Sequence, residues 1–261
     1  MTLFHIAFYR FVPLPDAADV TERLRTLAHG LTGSVLDAGE GVNGTLAGPA
    51  EALDAFEAAF TADRRFEGLP FRRSACTTPP FARLKVHHRA EIVAVGQGGA
   101  PGGAAVDPLA WRALLDRDDV VVLDNRNRFE YRLGRFRGAV DPGVHHFRDF
   151  PAYVEAHAAQ WKAEGKRVAM YCTGGIRCDK TSGWMSDLGL EVLRLEGGIL
   201  NYFAQVPDAG RDWSGECFVF DNRIALDTHL RETATTPEQV YGGDPADAWR
   251  LARARRLDAA A

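Results

Sequence analysis

The apolar-rich stretch 3–11 predicts a strand. Residues 13–30 carry Val20, Leu24 and Leu27 at helical spacing, with Gly30 as a stop. Residues 34–38 and 44–47 read as short strands around 39–43. Residues 50–60 are alanine-rich and helical, with Pro49 suited to the first turn. Residues 66–76 and 83–95 read as extended. The order strand, helix, strand, strand, helix, strand predicts a small ferredoxin-like α+β domain.

The second half has a different pattern. Val120-Val121-Val122-Leu123 is a continuous apolar run led by three β-branched valines, as in a parallel strand buried on both faces. Residues 150–164 have helical character, 168–171 form a second buried strand, 179–188 a helix stopped by Gly189, and 191–195 a third strand. Strands joined through helices predict a parallel α/β sheet with right-handed crossovers. Between the halves, residues 96–105 are glycine-dense, uncharged and without large apolar side chains, the composition of a flexible linker. The expected organisation is a first domain over 1–95, a linker over 96–105, a second domain over 106–230, and an extension over 231–261. The extension is rich in Ala, Arg and Asp, and reads as a peripheral helix or a frayed tail.

Composition narrows the class. With 261 residues, 46% hydrophobic and 25% charged, each half can bury a core of its own. No apolar run approaches the roughly 20 residues that span a bilayer. The N-terminus has neither a basic region nor a cleavage-site pattern. Four cysteines (Cys76, Cys172, Cys178, Cys217) show no Cys-x-x-Cys spacing, so neither a zinc site nor a disulfide framework is expected. Free thiols of this kind predict a cytoplasmic protein. The net charge of −4 leaves both RNA and small molecules open as substrates, because a local patch rather than the total steers RNA.

The strongest chemical signal is Tyr171-Cys172-Thr173-Gly174-Gly175-Ile176-Arg177-Cys178, placed after a predicted strand and before a predicted helix. Ligands gather outside the carboxyl ends of strands in open α/β sheets. The two glycines allow a tight loop, and the helix start adds unpaired N–H donors. Such a nest stabilises an anion, and the atom at its centre would be the Cys172 sulfur. These surroundings lower a thiol pKa, and the thiolate is the nucleophile. Arg177 adds a fixed positive charge. The bland alternative, an inert thiol at a strand end, does not account for the adjacent glycines and arginine. Cysteine phosphatases use Cys-x5-Arg around a phosphate. The Cys-x4-Arg spacing here fits a sulfur-bearing or smaller group better.

This six-residue loop, Cys172 to Arg177, resembles the active loop of rhodanese domains. So do Leu123-Asp124-Asn125-Arg126, Phe129-Glu130-Tyr131, residues 134–139 and Leu195-Glu196-Gly197-Gly198 resemble flanking parts of that fold. The match is closer to one family, the rhodanese-like oxygen-dependent tRNA uridine hydroxylases. It is carried by residues 40–48, 80–86 with 91–93, 147–151, 172–180 and 215–221, and covers about residues 3–226. The resemblance implies an acylphosphatase-like domain followed by a rhodanese domain. It implies conversion of a wobble uridine in the tRNA anticodon stem-loop to 5-hydroxyuridine, with molecular oxygen and a reductant as co-substrates. A sulfur or electron donor is implied as partner, and Cys172 matches a cysteine thought to carry a persulfide. Many members continue into a cysteine-rich segment, whereas residues 231–261 contain no cysteine.

Other residues carry weaker signals. Cys178 would resolve an oxidised Cys172 or simply pack at the helix start. Asn43 would contact a base edge or cap its turn. Arg83, Lys85, His87 and Arg89 fall on one face of an extended segment, suited to phosphate contacts or to solvent. Asp124, Arg126 and Glu130 are expected to fix loops by salt bridges, and Cys76 and Cys217 to be structural. No Gly-x-Gly-x-x-Gly fingerprint and no His/carboxylate ligand set suggests a flavin or a metal, so no cofactor is expected. Two readings compete with the hydroxylase. A sulfurtransferase acting on a small thiophilic acceptor fits the loop alone but leaves the N-terminal domain unemployed. A non-enzymatic RNA-binding module does not explain an intact Cys172 and Arg177.

Overall fold

The computed structural model describes residues 2–97, 99 and 101–258, which fall into two compact units. The first comprises Met1–Ala94 with Phe220–Arg223, the second Val95–Val219 with Ile224–Ala261. Gly98 and Ala100 of the expected linker lie outside the described residues.

The first unit is built from β1 (Leu3–Phe11), α1 (Ala17–Leu27), β2 (Thr32–Ala38), β3 (Gly41–Gly48), α2 (Ala50–Thr61), β4 (Arg72–Cys76) and β5 (Leu84–His88). The sheet order is β4-β1-β3-β2-β5. β1 pairs antiparallel with β3 and β4, and β3 antiparallel with β2. This is the expected βαββαβ unit, with β5 added parallel to β2 at one edge. Alternation decides the faces. Ile6, Phe8, Val35, Val42, Leu46 and Val86 meet Val20 and Leu24 of α1 and Leu53, Phe56 and Phe60 of α2 in one core. The extended stretch expected over 83–95 is a strand only over Leu84–His88. Beyond it the chain is tied by side chains instead: Ile92 N–H donates to the Glu40 carboxylate at 2.9 Å.

The second unit contains β6 (Ala104–Val106), α3 (Pro108–Leu114), β7 (Val120–Asp124), α4 (Arg128–Leu133), β8 (Gly134–Phe136), α5 (Phe150–Ala163), β9 (Arg167–Tyr171), α6 (Ile176–Asp187), β10 (Val192–Leu195), α7 (Gly198–Gln205), β11 (Trp213–Gly215), β12 (Cys217–Phe218), β13 (Ala225–Leu226), α8 (Pro237–Tyr241) and α9 (Ala248–Asp258). Four strands form a wholly parallel sheet in the order β6-β10-β9-β7. Val168, Ala169, Met170 and Tyr171 of its central β9 are fully buried, as the apolar run requires. The linker expectation needs correcting. Ala104 and Ala105 belong to edge strand β6, and Gly102 is anchored through its N–H to Ser182 Oγ and its carbonyl to Arg194. Composition misses this because two alanines carry no strand signal, and pairing with β10 supplies the conformation. Residues 231–258 are not a separate extension either. Val240 of α8 packs with Phe129 and Phe218 in a small core of the second unit. Among the described residues no helix is long and apolar enough to cross a membrane.

Candidate active site

Cys172 stands one residue past the end of β9, at the carboxyl edge of the parallel sheet. The loop from Cys172 turns at Gly175, whose φ of 99° is left-handed and favours glycine, and Gly175 caps α6. α6 therefore begins at Ile176, three residues before the start that periodicity predicts. The glycine pair looks like a helix breaker, yet its second member is the cap. As a result Arg177 and Cys178 sit in the first turn, where backbone N–H groups have no helical partners. Gly175 N–H donates to Cys172 Sγ at 3.1 Å.

The loop is held from behind by α7. Ile199 N–H donates to the Cys172 carbonyl at 3.0 Å and Leu200 N–H to the Thr173 carbonyl at 3.2 Å. Gly198 makes this approach possible. A Cβ there would stand 2.4 Å from the Cys172 carbonyl oxygen, and its φ is +70°. The Gly197-Gly198 pair was legible as a turn, but its role as the loop's support needed three dimensions.

Arg177 does not point at the sulfur alone. Its guanidinium donates to both oxygens of Glu130, each at 2.8 Å, and to Thr173 Oγ1 at 3.3 Å. Its other face lies 5.9 Å from the Phe147 ring centroid. Glu130 is fully buried and also accepts from the Asn127 backbone, in a capping box that starts α4. Burial pushes its pKa up, but Arg177, together with Arg126 and the Asn127 N–H, outweighs this and holds the carboxyl below its usual range. Nearby, Arg126 makes a fully buried two-pronged pair with Asp124 at 2.8 and 2.6 Å, and Tyr171 Oη donates to Asp124 at 2.7 Å. Asp124, Arg126 and Glu130 thus fix loop geometry through salt bridges, as their positions in the sequence implied.

Cys172 is fully buried. Burial raises a thiol pKa, but here it is opposed by a hydrogen bond from Cys178, the charge of Arg177 and the backbone N–H groups of Cys178 and Arg177. These bring it down from 9.0 to about 6. At neutral pH the thiolate is then the favoured form. Cys178 moves the other way: burial and the neighbouring Cys172 sulfur push its thiol well up. Asn125, which the sequence marked only as part of the stretch Leu123 to Arg126 and gave no role, donates to Thr181 Oγ1 at 3.0 Å and to Cys178 Sγ at 3.8 Å. The two thiols therefore differ: Cys172 is the anion, and Cys178 a neutral donor toward it. Cys217 is buried and pushed up to about 12, and Cys76 is buried as well.

The other candidates lie in the first unit. Asn43, in β3, donates to the Ile92 carbonyl at 3.4 Å, so it contributes to holding the segment after β5. Arg83, Lys85 and His87 line a shallow surface depression with Arg25 of α1. Leu84 and Val86 turn inward between them, so the predicted alternation is present there. Arg89 is exposed just beyond the strand end. Arg83, Lys85 and His87 have no carboxylate partner among the described residues, whereas Arg23, Arg65 and Arg73 of the same unit are all paired. One group of the second unit, His145, Asp244 and Asp247, has ligand atoms within cation distance of one another. Arg132 already pairs with both carboxylates, and Arg250 with Asp247.

Residues 4–92 match the family model described as UPF0176 acylphosphatase like domain, and 107–205 match the Rhodanese-like domain. A protein of Bradyrhizobium diazoefficiens named tRNA uridine(34) hydroxylase is 45% identical over 87% of this chain and 92% of its own length. Proteins of the same name from Deinococcus radiodurans and Legionella pneumophila are 44% and 40% identical, over 87% and 92% of this chain and 76% and 94% of their own.

Proposed function

Because the chain belongs to the family of the tRNA uridine(34) hydroxylases, we propose that it hydroxylates uridine 34 of tRNA at the ring carbon C5, with Cys172 as the nucleophile. The observation that carries the site assignment is the convergence of donors on one sulfur. Gly175 N–H, the Cys178 thiol and the first-turn N–H groups of α6 all favour the anion. A plain sulfurtransferase would need only the second unit, yet the similarity to the relatives runs through both.

The chemistry needs a nucleophile because C5 of uracil is unreactive towards oxygen. A sulfur anion adding to the neighbouring C6 leaves C5 enolate-like and electron-rich, a covalent activation of the ring. Oxygen then supplies one atom to C5. The second atom leaves as water with two electrons and two protons from a reductant. Loss of the C5 proton expels the sulfur and restores the ring, so the balance is uridine, O2, two electrons and two protons to 5-hydroxyuridine and water. The closed surface over Cys172 favours a persulfide as the attacking form. A sulfur taken by the Cys172 thiolate from a sulfane-sulfur donor, whose own bond to that sulfur breaks, is bonded at about 2.05 Å and carries the reactive atom outward past the rim of Thr173, Gly174 and Ile176, all partly exposed. Arg177 braces the loop through Glu130, and its charge favours the Cys172 anion. The tRNA is held by phosphate contacts at Arg83, Lys85 and His87, with Arg89 beside them, and the reaction takes place in the cytoplasm.

Purified protein is first loaded at Cys172 with a sulfane-sulfur donor and then incubated with unmodified tRNA, oxygen and a non-thiol reductant, and nucleosides at position 34 are read by mass spectrometry. Wild type is expected to yield a product 16 mass units heavier than uridine, and Cys172→Ser none at an unchanged melting temperature. Near-normal turnover by Cys172→Ser would remove Cys172 from the reaction.

A further inference from the structure

Trp249, on α9, is 44% exposed, an unusual setting for so large an apolar side chain. It is not loose. His146 stacks on it with ring centroids 5.5 Å apart and planes 25° from parallel. The Arg250 guanidinium lies 4.4 Å from the Trp249 centroid and 4.7 Å from that of Phe129. Arg250 is in turn fixed by Asp247 at 3.2 Å and by the His145 carbonyl at 2.6 Å.

Along α9, residues 249, 253 and 256 follow one another at helical spacing and share a face. Arg253 and Arg256 are exposed and have no acidic partner among the described residues, whereas Arg255, off that line, pairs with Glu238. The face therefore combines a partly exposed aromatic pair, steadied by Arg250, with two cations that have no acidic partner among the described residues. It is also joined to the reactive loop twice. His146 precedes Phe147, whose ring lies against the Arg177 guanidinium. Phe129, on which Arg250 rests, precedes Glu130, the partner of Arg177.

We propose that this face, Trp249 with His146, Arg253 and Arg256, stacks an unpaired nucleobase of the anticodon loop next to the base that reacts at Cys172. The proposal rests on the tRNA reading above and assigns a role to a segment which that reading left without one. A base that leaves the anticodon stack exposes the π-face of its neighbour. A rigid aromatic replaces the lost stacking for any base, because every base has such a face, and arginines along the same line neutralise the adjoining phosphates. An acidic protein would satisfy the arginines equally well but gives no reason for a flat aromatic pair beside them.

The test uses the full-length protein and tRNA. Trp249→Ala is expected to raise KM for tRNA roughly five- to hundred-fold, the usual worth of one stacked base. It should leave kcat within about twofold and the rate of Cys172 alkylation at pH 7 unchanged. Trp249→Phe is expected to recover most of the loss. Binding of a 17-nucleotide anticodon stem-loop is expected to quench tryptophan fluorescence in wild type and clearly less in Trp249→Phe. An unchanged KM with a lower melting temperature would make Trp249 a packing residue of α9 and overturn the proposal. So would an unchanged KM with weakened binding of a sulfur- or electron-donor protein. If wild type quenched on the stem-loop but never hydroxylated tRNA, the functional reading would fail while the stacking site stood.

Discussion

At Cys172 a burial cost is opposed on the same atom by a set of hydrogen bonds and the charge of Arg177, and these win. The Cys178 thiol is one of them, and its own ionisation is suppressed by burial and by the Cys172 charge. This asymmetry bears on the two roles open to Cys178. A resolving thiol must itself become a thiolate to attack, which its surroundings oppose. A donor must stay protonated, which they favour. Cys178→Ala is therefore expected to raise the Cys172 titration midpoint above about 6, and Cys178→Ser, which keeps a hydrogen to donate, to hold it closer to the native value. The rate of iodoacetamide alkylation against pH reads the midpoint. An unmoved midpoint in both variants would take Cys178 out of the anion's support. Arg177 is a poorer probe of the same question. Deleting it leaves Glu130 charged and buried without its ion partner, a loss of about 3–5 kcal/mol that would mask any change in the thiol.

Among the elements, β5 shows how one strand serves two purposes. Its inward residues, Leu84 and Val86, complete the core beneath α1, and its outward residues, Arg83 just ahead of it with Lys85 and His87, form a basic row beside Arg25 with no carboxylate partner among the described residues. Edge strands invite pairing with other chains, and lysine and arginine on an edge discourage it, so the charges have a structural use as well. Salt separates the two uses. If the row contacts tRNA phosphates, each lost contact flattens the plot of log affinity against log salt by about 0.7–0.9. Arg83→Ala with Lys85→Ala is expected to weaken tRNA binding in low salt and to flatten the slope by between one and two. Unaltered affinity and slope would move the RNA surface elsewhere.

In the whole molecule, the first unit is completed by Phe220–Arg223, a four-residue excursion of the chain from the second. Those residues bury a cluster against β1 and β4. Asp221 and Arg223 pair at 2.7 Å, Arg223 donates to Cys76 Sγ at 3.8 Å, and His5 Nε2 lies 3.9 Å from Asp221. Burial, then the charge of Arg223, bring His5 down to about 4 despite Asp221. The unfolded chain binds this proton near pH 6.5 and the folded one only near 4. The neutral histidine therefore stabilises the fold fully above about pH 6.5, and the stabilisation is lost as pH falls toward 4, by at most about 3 kcal/mol. His5→Gln is expected to flatten the dependence of the melting temperature on pH between 6.5 and 4 relative to wild type. Identical profiles would mean that His5 does not carry it.

Much was determined by the sequence alone, and always where the cause is local. The loop from Cys172 to Arg177 spans six residues between a strand end and a helix start, so glycine sterics and first-turn N–H groups shape it whatever surrounds it. The βαββαβ order followed from side-chain periodicity, which reflects only which face is buried. Tertiary structure decided the partners. Arg177 meets Glu130 across 47 positions, and Asn125 meets Cys178 across 53. Ile199 and Leu200 hold the loop's carbonyls, Ala104–Val106 became a strand, and Trp249 came to lie on His146. The physical reason is the same in each case. Strand order within a sheet brings distant strand ends and helix starts to one edge, and no short-range steric or hydrogen-bonding preference specifies which of them will meet there.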